Sequence, residues 1–141
     1  MITLEQFVER VVKLGADRGP RRFPRGTQDR EIMMKSITLD LDEKVTYTER
    51  EVNEHLKRWQ REVAPAIETD HVTLRRELVD HGYLERKRDG SEYRVGFPAK
   101  SVAFAIEIYD VDLRATVAAY LAEQARKAAE RKAKRAGSAT P

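Results

Sequence analysis

The chain has 141 residues and carries 27 Lys and Arg against 24 Asp and Glu, a formal charge of +3. That length suits one domain with appendages and a core that needs no staples. With no cysteine, disulfides, thiolate metal sites and cysteine nucleophiles are excluded, and the histidines His55, His71 and His81 have no metal-protease spacing, so neither metal nor other cofactor is expected.

No apolar run nears the ~20 residues that span a bilayer, and no basic-then-apolar leader opens the chain. A soluble cytoplasmic protein is expected. The charge is unevenly placed. From Arg126 onward, Arg126, Lys127, Arg131, Lys132, Lys134 and Arg135 face Glu130 alone, which puts +5 on the tail and −2 on residues 1–125. Any nucleic-acid site on the body must therefore be a local patch.

Residues 3–14 read as a helix. Thr3 and Gln6 have capping-box spacing, and Leu4, Phe7, Val8, Val11 and Leu14 form one apolar stripe, for the core or for a second copy of the chain. Gly15 and Gly19-Pro20 end it. Residues 18–26 are basic and rich in Pro and Gly. Arg21, Arg22 and Arg25 suit an arm that follows phosphates; equally, this is a solvated linker with Phe23 tucked into the domain. Ile32, Met33 and Ile37 mark a helix over 28–39, and Val45-Thr46-Tyr47 a short strand-like step. Thr48-Glu49-Arg50-Glu51 is a capping box for a helix over 48–62, with Val52, Leu56, Trp59 and Val63 on its apolar side. Trp59 reads as core.

A connection over 64–69 leads to a third domain helix, capped by Thr69 or Asp70. Its buried side is Leu74, Leu78 and Val79. Arg75 lies inside that arc, which requires an acidic partner and a structural role. Thr73, Arg76, Glu77 and Asp80 lie opposite. Gly82 stops the helix. Residues 83–88 and 92–95 read as strands joined at Asp89-Gly90, with Arg86, Lys87, Arg88 and Arg94 as phosphate contacts or as the charge of an ordinary soluble edge. Val102 to Tyr109 suits a strand or a buried helical turn. Asp112 then caps a helix with Leu113, Val117, Tyr120 and Leu121 on one stripe, continuing as a protruding or frayed basic tail. That stripe and the first helix suit homodimerisation.

Four motifs carry a resemblance: Phe23-Pro24-Arg25; Tyr47-Thr48-Glu49 with Glu51-Val52-Asn53; Asp70 to Asp80; and Gly82-Tyr83-Leu84-Glu85-Arg86 with Asp89-Gly90-Ser91-Glu92-Tyr93. From Phe23 to Val95 the chain resembles the uncharacterised bacterial domain family often appended to arsenical-resistance-repressor-type (ArsR-like) transcriptional regulators. The resemblance implies a winged-helix-like fold and a setting in transcription. One short helix precedes the matching region, so the DNA binding or sensing of a fused repressor domain is not expected here.

The expected fold is mainly α with a small β-hairpin. A winged helix-turn-helix-like domain over 21–97 follows an N-terminal helix and linker over 1–20. A packing or dimerisation helix over 98–125 and a basic tail over 126–141 come after it. No residues form a catalytic constellation, and no enzyme is expected. The leading expectation is a DNA-binding regulator that presents Thr73 and Arg76 to the major groove of double-stranded DNA. Arg86, Lys87, Arg88 and Arg94 would meet phosphates, with Arg21, Arg22 and Arg25 as an arm. The alternative is a non-catalytic interaction module on the same frame, working as a homodimer or with a regulator. The acids on the third helix favour it.

Overall fold

Residues 1–138 are described by the computed structural model. In chain order they form α1 (Leu4–Gly15), α2 (Thr27–Thr38), α3 (Glu49–Glu62), α4 (His71–Asp80), β1 (Leu84–Arg86), β2 (Tyr93–Val95), a 3-10 helix (Ile106–Asp110) and α5 (Leu113–Ser138). The architecture is mainly helical with one small antiparallel hairpin among the described residues.

The helices start where short polar side chains satisfy their end donors. Thr3 and Gln6 cap α1 reciprocally, and Thr48 and Glu51 do the same for α3. Asp70 caps α4 by accepting from the Thr73 backbone N–H at 2.8 Å. Asp112 accepts from the Ala115 N–H at 3.1 Å at the start of α5. Beyond each cap, the apolar stripes meet in one core. Phe7 and Val11 of α1, Ile32, Met33 and Ile37 of α2, Leu56 and Trp59 of α3, and Leu74 and Leu78 of α4 are all buried. Trp59 is a core residue, as its sequence position implies, and its indole N–H donates to Ser36 Oγ at 3.0 Å.

Polar contacts fix how the helices sit. Arg10 of α1 makes a two-pronged pair with Asp29 of α2, at 3.1 and 2.8 Å. Glu31 of α2 is buried and accepts from Tyr83 Oη and from the Val102 N–H, both at 3.2 Å. It thereby ties α2 to the hairpin entrance and to the C-terminal segment. Burial, and then the Glu31 carboxylate, raise the Tyr83 phenol above its usual range.

The hairpin differs from the sequence expectation. Its strands are three residues each, with Leu84 opposite Val95 and Arg86 opposite Tyr93, not the longer 83–88 and 92–95 pair. The loop is wider because Asp89 folds its carboxylate onto the Ser91 N–H, at 2.9 Å, while the Gly90 N–H closes a turn on the Lys87 carbonyl. Tyr47 exchanges two backbone hydrogen bonds with Tyr93, each 2.7 Å, so the step before α3 lies beside β2. The order across this edge is Tyr47, β2, β1.

Residues 97–109 resolve the strand-or-helix ambiguity by using both forms. Phe104 bridges Ile2 in parallel, and the 3-10 helix follows. Leu113 and Val117 of α5 are buried, and Tyr120 Oη donates to Asp17 at 2.8 Å. The apolar stripes of the two terminal helices thus pack within the chain through much of their length. From Arg126 onward the α5 side chains described are exposed, and the helix continues unbroken past Ala125. Residues 139–141 of the expected tail lie outside the described residues. No helix among the described residues is long and apolar enough to cross a membrane.

Candidate nucleic-acid interface

The α4 helix is held by α3 through Arg75, which sits on the side facing the core. Its guanidinium donates to Asn53 Oδ1 and lies 3.3 Å from Glu49 Oε1, with the side chain 14 % exposed. Arg75 therefore latches two helices together, the structural role that its place in the apolar arc requires. Glu49 also accepts from Tyr93 Oη at 3.1 Å, and Tyr93 Oη accepts from Arg86 Nε at 3.1 Å. One acid at the start of α3 thus organises α4 and the hairpin together.

This network floors a cleft between α4 and the hairpin, where Arg75, Arg76 and Arg86 converge with Glu49, Asp80 and Tyr93. Arg76 is exposed along it. Arg86 is less free than the alternation of the strand suggests: its guanidinium also lies against Gly90, where any Cβ would collide with it. Lys87 and Arg88 stand at the exposed hairpin tip and make no side-chain hydrogen bond or ion pair among the described residues. Arg94 is paired across the hairpin with Glu85 at 3.0 Å. Of the four expected hairpin contacts, only Arg94 is in an ion pair, Arg86 is held by the Tyr93 hydroxyl, and Lys87 and Arg88 have neither kind of contact among the described residues.

The acids expected on the outer side of α4 are there, but partly engaged. Glu77 lies 3.3 Å from His81 Nε2, and Asp80 lines the cleft. Thr73 is exposed, and its hydroxyl donates to Asp70 at 3.2 Å. The backbone N–H of Thr73 holds the Asp70 carboxyl below its usual pKa.

The basic stretch before α2 is laid down rather than loose. Arg21 pairs in parallel with Ile67, and its guanidinium donates to the Lys13 carbonyl at 2.8 Å and to the Asp17 carbonyl. Arg21 thus closes the C-terminal end of α1, apart from the neighbours with which the sequence grouped it. Arg22 and Arg25 remain exposed, beside Thr73 and Glu77. Phe23 is tucked against Trp59, with ring centroids 6.4 Å apart. Sequence reasoning missed Glu31 and Arg30. Each looks like ordinary polar surface on α2, and no periodicity separates them from it.

A helical domain with one hairpin, and arginines gathered on both sides of its fourth helix, is the class that this geometry defines. The chain belongs to the family described as "Uncharacterized protein conserved in bacteria (DUF2087)", whose pattern matches residues 21–95, from the basic arm through β2. No curated protein and no solved structure matches the chain.

Proposed function

We propose that the chain is a winged-helix DNA-binding regulator that sets α4 and the hairpin against a duplex. The observation that carries this reading is the order of the domain: α2, the Tyr47 step, α3, α4 and the hairpin, with Tyr47 paired to β2. A winged helix has that order, with α4 in the place of the groove-reading helix and the hairpin as its wing. In support, arginines line a cleft on each side of α4, Arg22 and Arg25 in one and Arg76 and Arg86 in the other, and Lys87 and Arg88 stand exposed on the hairpin. Thr73 and Arg76 face the bases, the exposed cations face phosphates, and the basic end of α5 adds affinity without sequence preference. A setting beside ArsR-type regulators belongs to the same proposal.

The test is fluorescence anisotropy of a random-sequence duplex across a salt series, using full-length protein and the Lys87→Ala/Arg88→Ala variant. The variant should bind more weakly, with a salt slope smaller by about 1 for each phosphate it no longer meets. An unchanged slope removes the hairpin tip from the interface. One observation favours the second reading, an interaction module. Phe97, Ile106 and Tyr109 are large apolar side chains exposed at 63, 79 and 52 %. Absence of duplex binding at low salt would place that reading first.

A further inference from the structure

A second cleft lies between the basic arm and the first turns of α4. It is built by the way the arm is stitched down. The Arg21 N–H donates to the Ala66 carbonyl at 2.8 Å, the Glu68 N–H donates back to the Arg21 carbonyl at 2.9 Å, and the Phe23 N–H donates to Thr69 Oγ1 at 2.9 Å. These bonds fix Arg22 and Arg25 beside α4. Arg30, one turn into α2, comes in from below and donates through Nη1 to the Arg25 carbonyl at 3.2 Å. Arg22, Arg25, Arg30, Thr69, Thr73 and Glu77 all line the cleft.

Two donors on residues that line the cleft have no protein acceptor among the described residues. The Nε of Arg30 is buried and makes no hydrogen bond. The hydroxyl of Thr69, on a residue 6 % exposed, accepts from Phe23 and donates to nothing. Buried donors are ordinarily paired. The three guanidinium groups form no ion pair with any described carboxylate. Glu77, the one acid lining the cleft, offsets at most one of these three charges, and its carboxylate lies 3.3 Å from His81 Nε2. The cap of α4 is occupied by Asp70, so the helix end is not the source of the attraction. Guanidinium donors in fixed forks match the oxygens of a tetrahedral anion, and the excess of positive charge matches its sign.

We propose that this cleft is a phosphate site, in which Arg22, Arg25 and Arg30 supply the charge and Thr69 a hydroxyl donor. The inference deepens the DNA-binding reading and rests on it for the source of the phosphate, a phosphodiester of the duplex backbone. It assigns Arg30 a binding role and makes the arm a clamp at one end of α4, opposite the hairpin.

The test follows the Arg Nε–H signals and the Thr69 and Thr73 amides of the ¹⁵N-labelled full-length protein by NMR. One titration uses inorganic phosphate against a sodium chloride control of equal ionic strength. The other uses a random-sequence duplex. The Arg30 and Thr69 signals should move saturably with phosphate and with duplex, but not with chloride. The Arg22→Ala/Arg25→Ala variant changes only exposed side chains, and it should weaken phosphate binding by about tenfold or more. Movement with duplex alone also supports the site, as one that requires the backbone geometry. Movement with phosphate alone supports the oxyanion site and removes the duplex as its source. Signals that respond to phosphate no differently from chloride, and that stay still while the duplex binds by anisotropy, overturn the proposal and leave the DNA-binding reading standing. Still signals with no duplex binding overturn both.

Discussion

His55 and Arg75 show how single side chains tie the helices together. The His55 ring is buried and its Nε2 lies 2.6 Å from the Ile37 carbonyl, so Nε2 carries the donated proton. Burial lowers its pKa below the ordinary value of 6.5, and the bond to Ile37 only partly opposes this. Above that value both folded and unfolded chains hold the ring neutral, and its contribution is complete. As pH falls through and below it, the unfolded chain takes up a proton that the folded chain refuses, so stability is lost. Urea midpoints should therefore fall between about pH 7 and pH 5, and His55→Gln should flatten that dependence. An equal dependence in the variant would exclude His55 as its cause. Arg75→Met removes the latch between α3 and α4 and leaves Asn53 and Glu49 without it. Because Glu49 is half exposed, the expected loss is about 1–2 kcal/mol, read from urea unfolding.

At the scale of elements, the junction of α4 with β1 is the most constrained. Gly82 has φ 79°, a left-handed conformation that lets the chain leave the helix and enter the hairpin at once. Its carbonyl is packed against Gly96, where a Cβ would collide. Gly82→Ala should cost about 1–2 kcal/mol with an unchanged denaturant slope, since the strain is in the folded backbone. A neutral result would mean that the junction relaxes. The caps of α1, α3 and α4 were legible because each uses a local pattern within four residues. The strand ends were not, because Asp89 competes for the backbone in a way that alternation does not register.

Over the whole molecule, α5 divides into two parts. Its first turns are packed against α1 and held by ion pairs of Arg114 with Asp40 and Glu62, at 3.0 and 2.9 Å. Its basic end is exposed, with Arg126 paired to Glu123 and Glu130 along the helix surface. Ending the chain after Ala125 should therefore leave the thermal midpoint within about 2 °C of full length. It should also weaken nonspecific duplex binding and reduce the salt slope by up to about 0.9 for each phosphate-contacting cation removed. A large fall in midpoint would show that the distal helix supports the fold.

Helix positions, their caps, the core stripe through Trp59 and the hairpin follow from the sequence itself, because spacing and capping act over a few residues. So does the need of Arg75 for a partner, since a cation within an apolar arc must be neutralised. Which partner it finds depends on helix packing. Tertiary contacts likewise decide that Arg21 closes α1, that Arg94 is neutralised by Glu85, and that Arg30 stands beside Arg22 and Arg25. Charge is written residue by residue, but whether it is spent on a neighbour or left facing outward depends on contacts between segments distant in the chain.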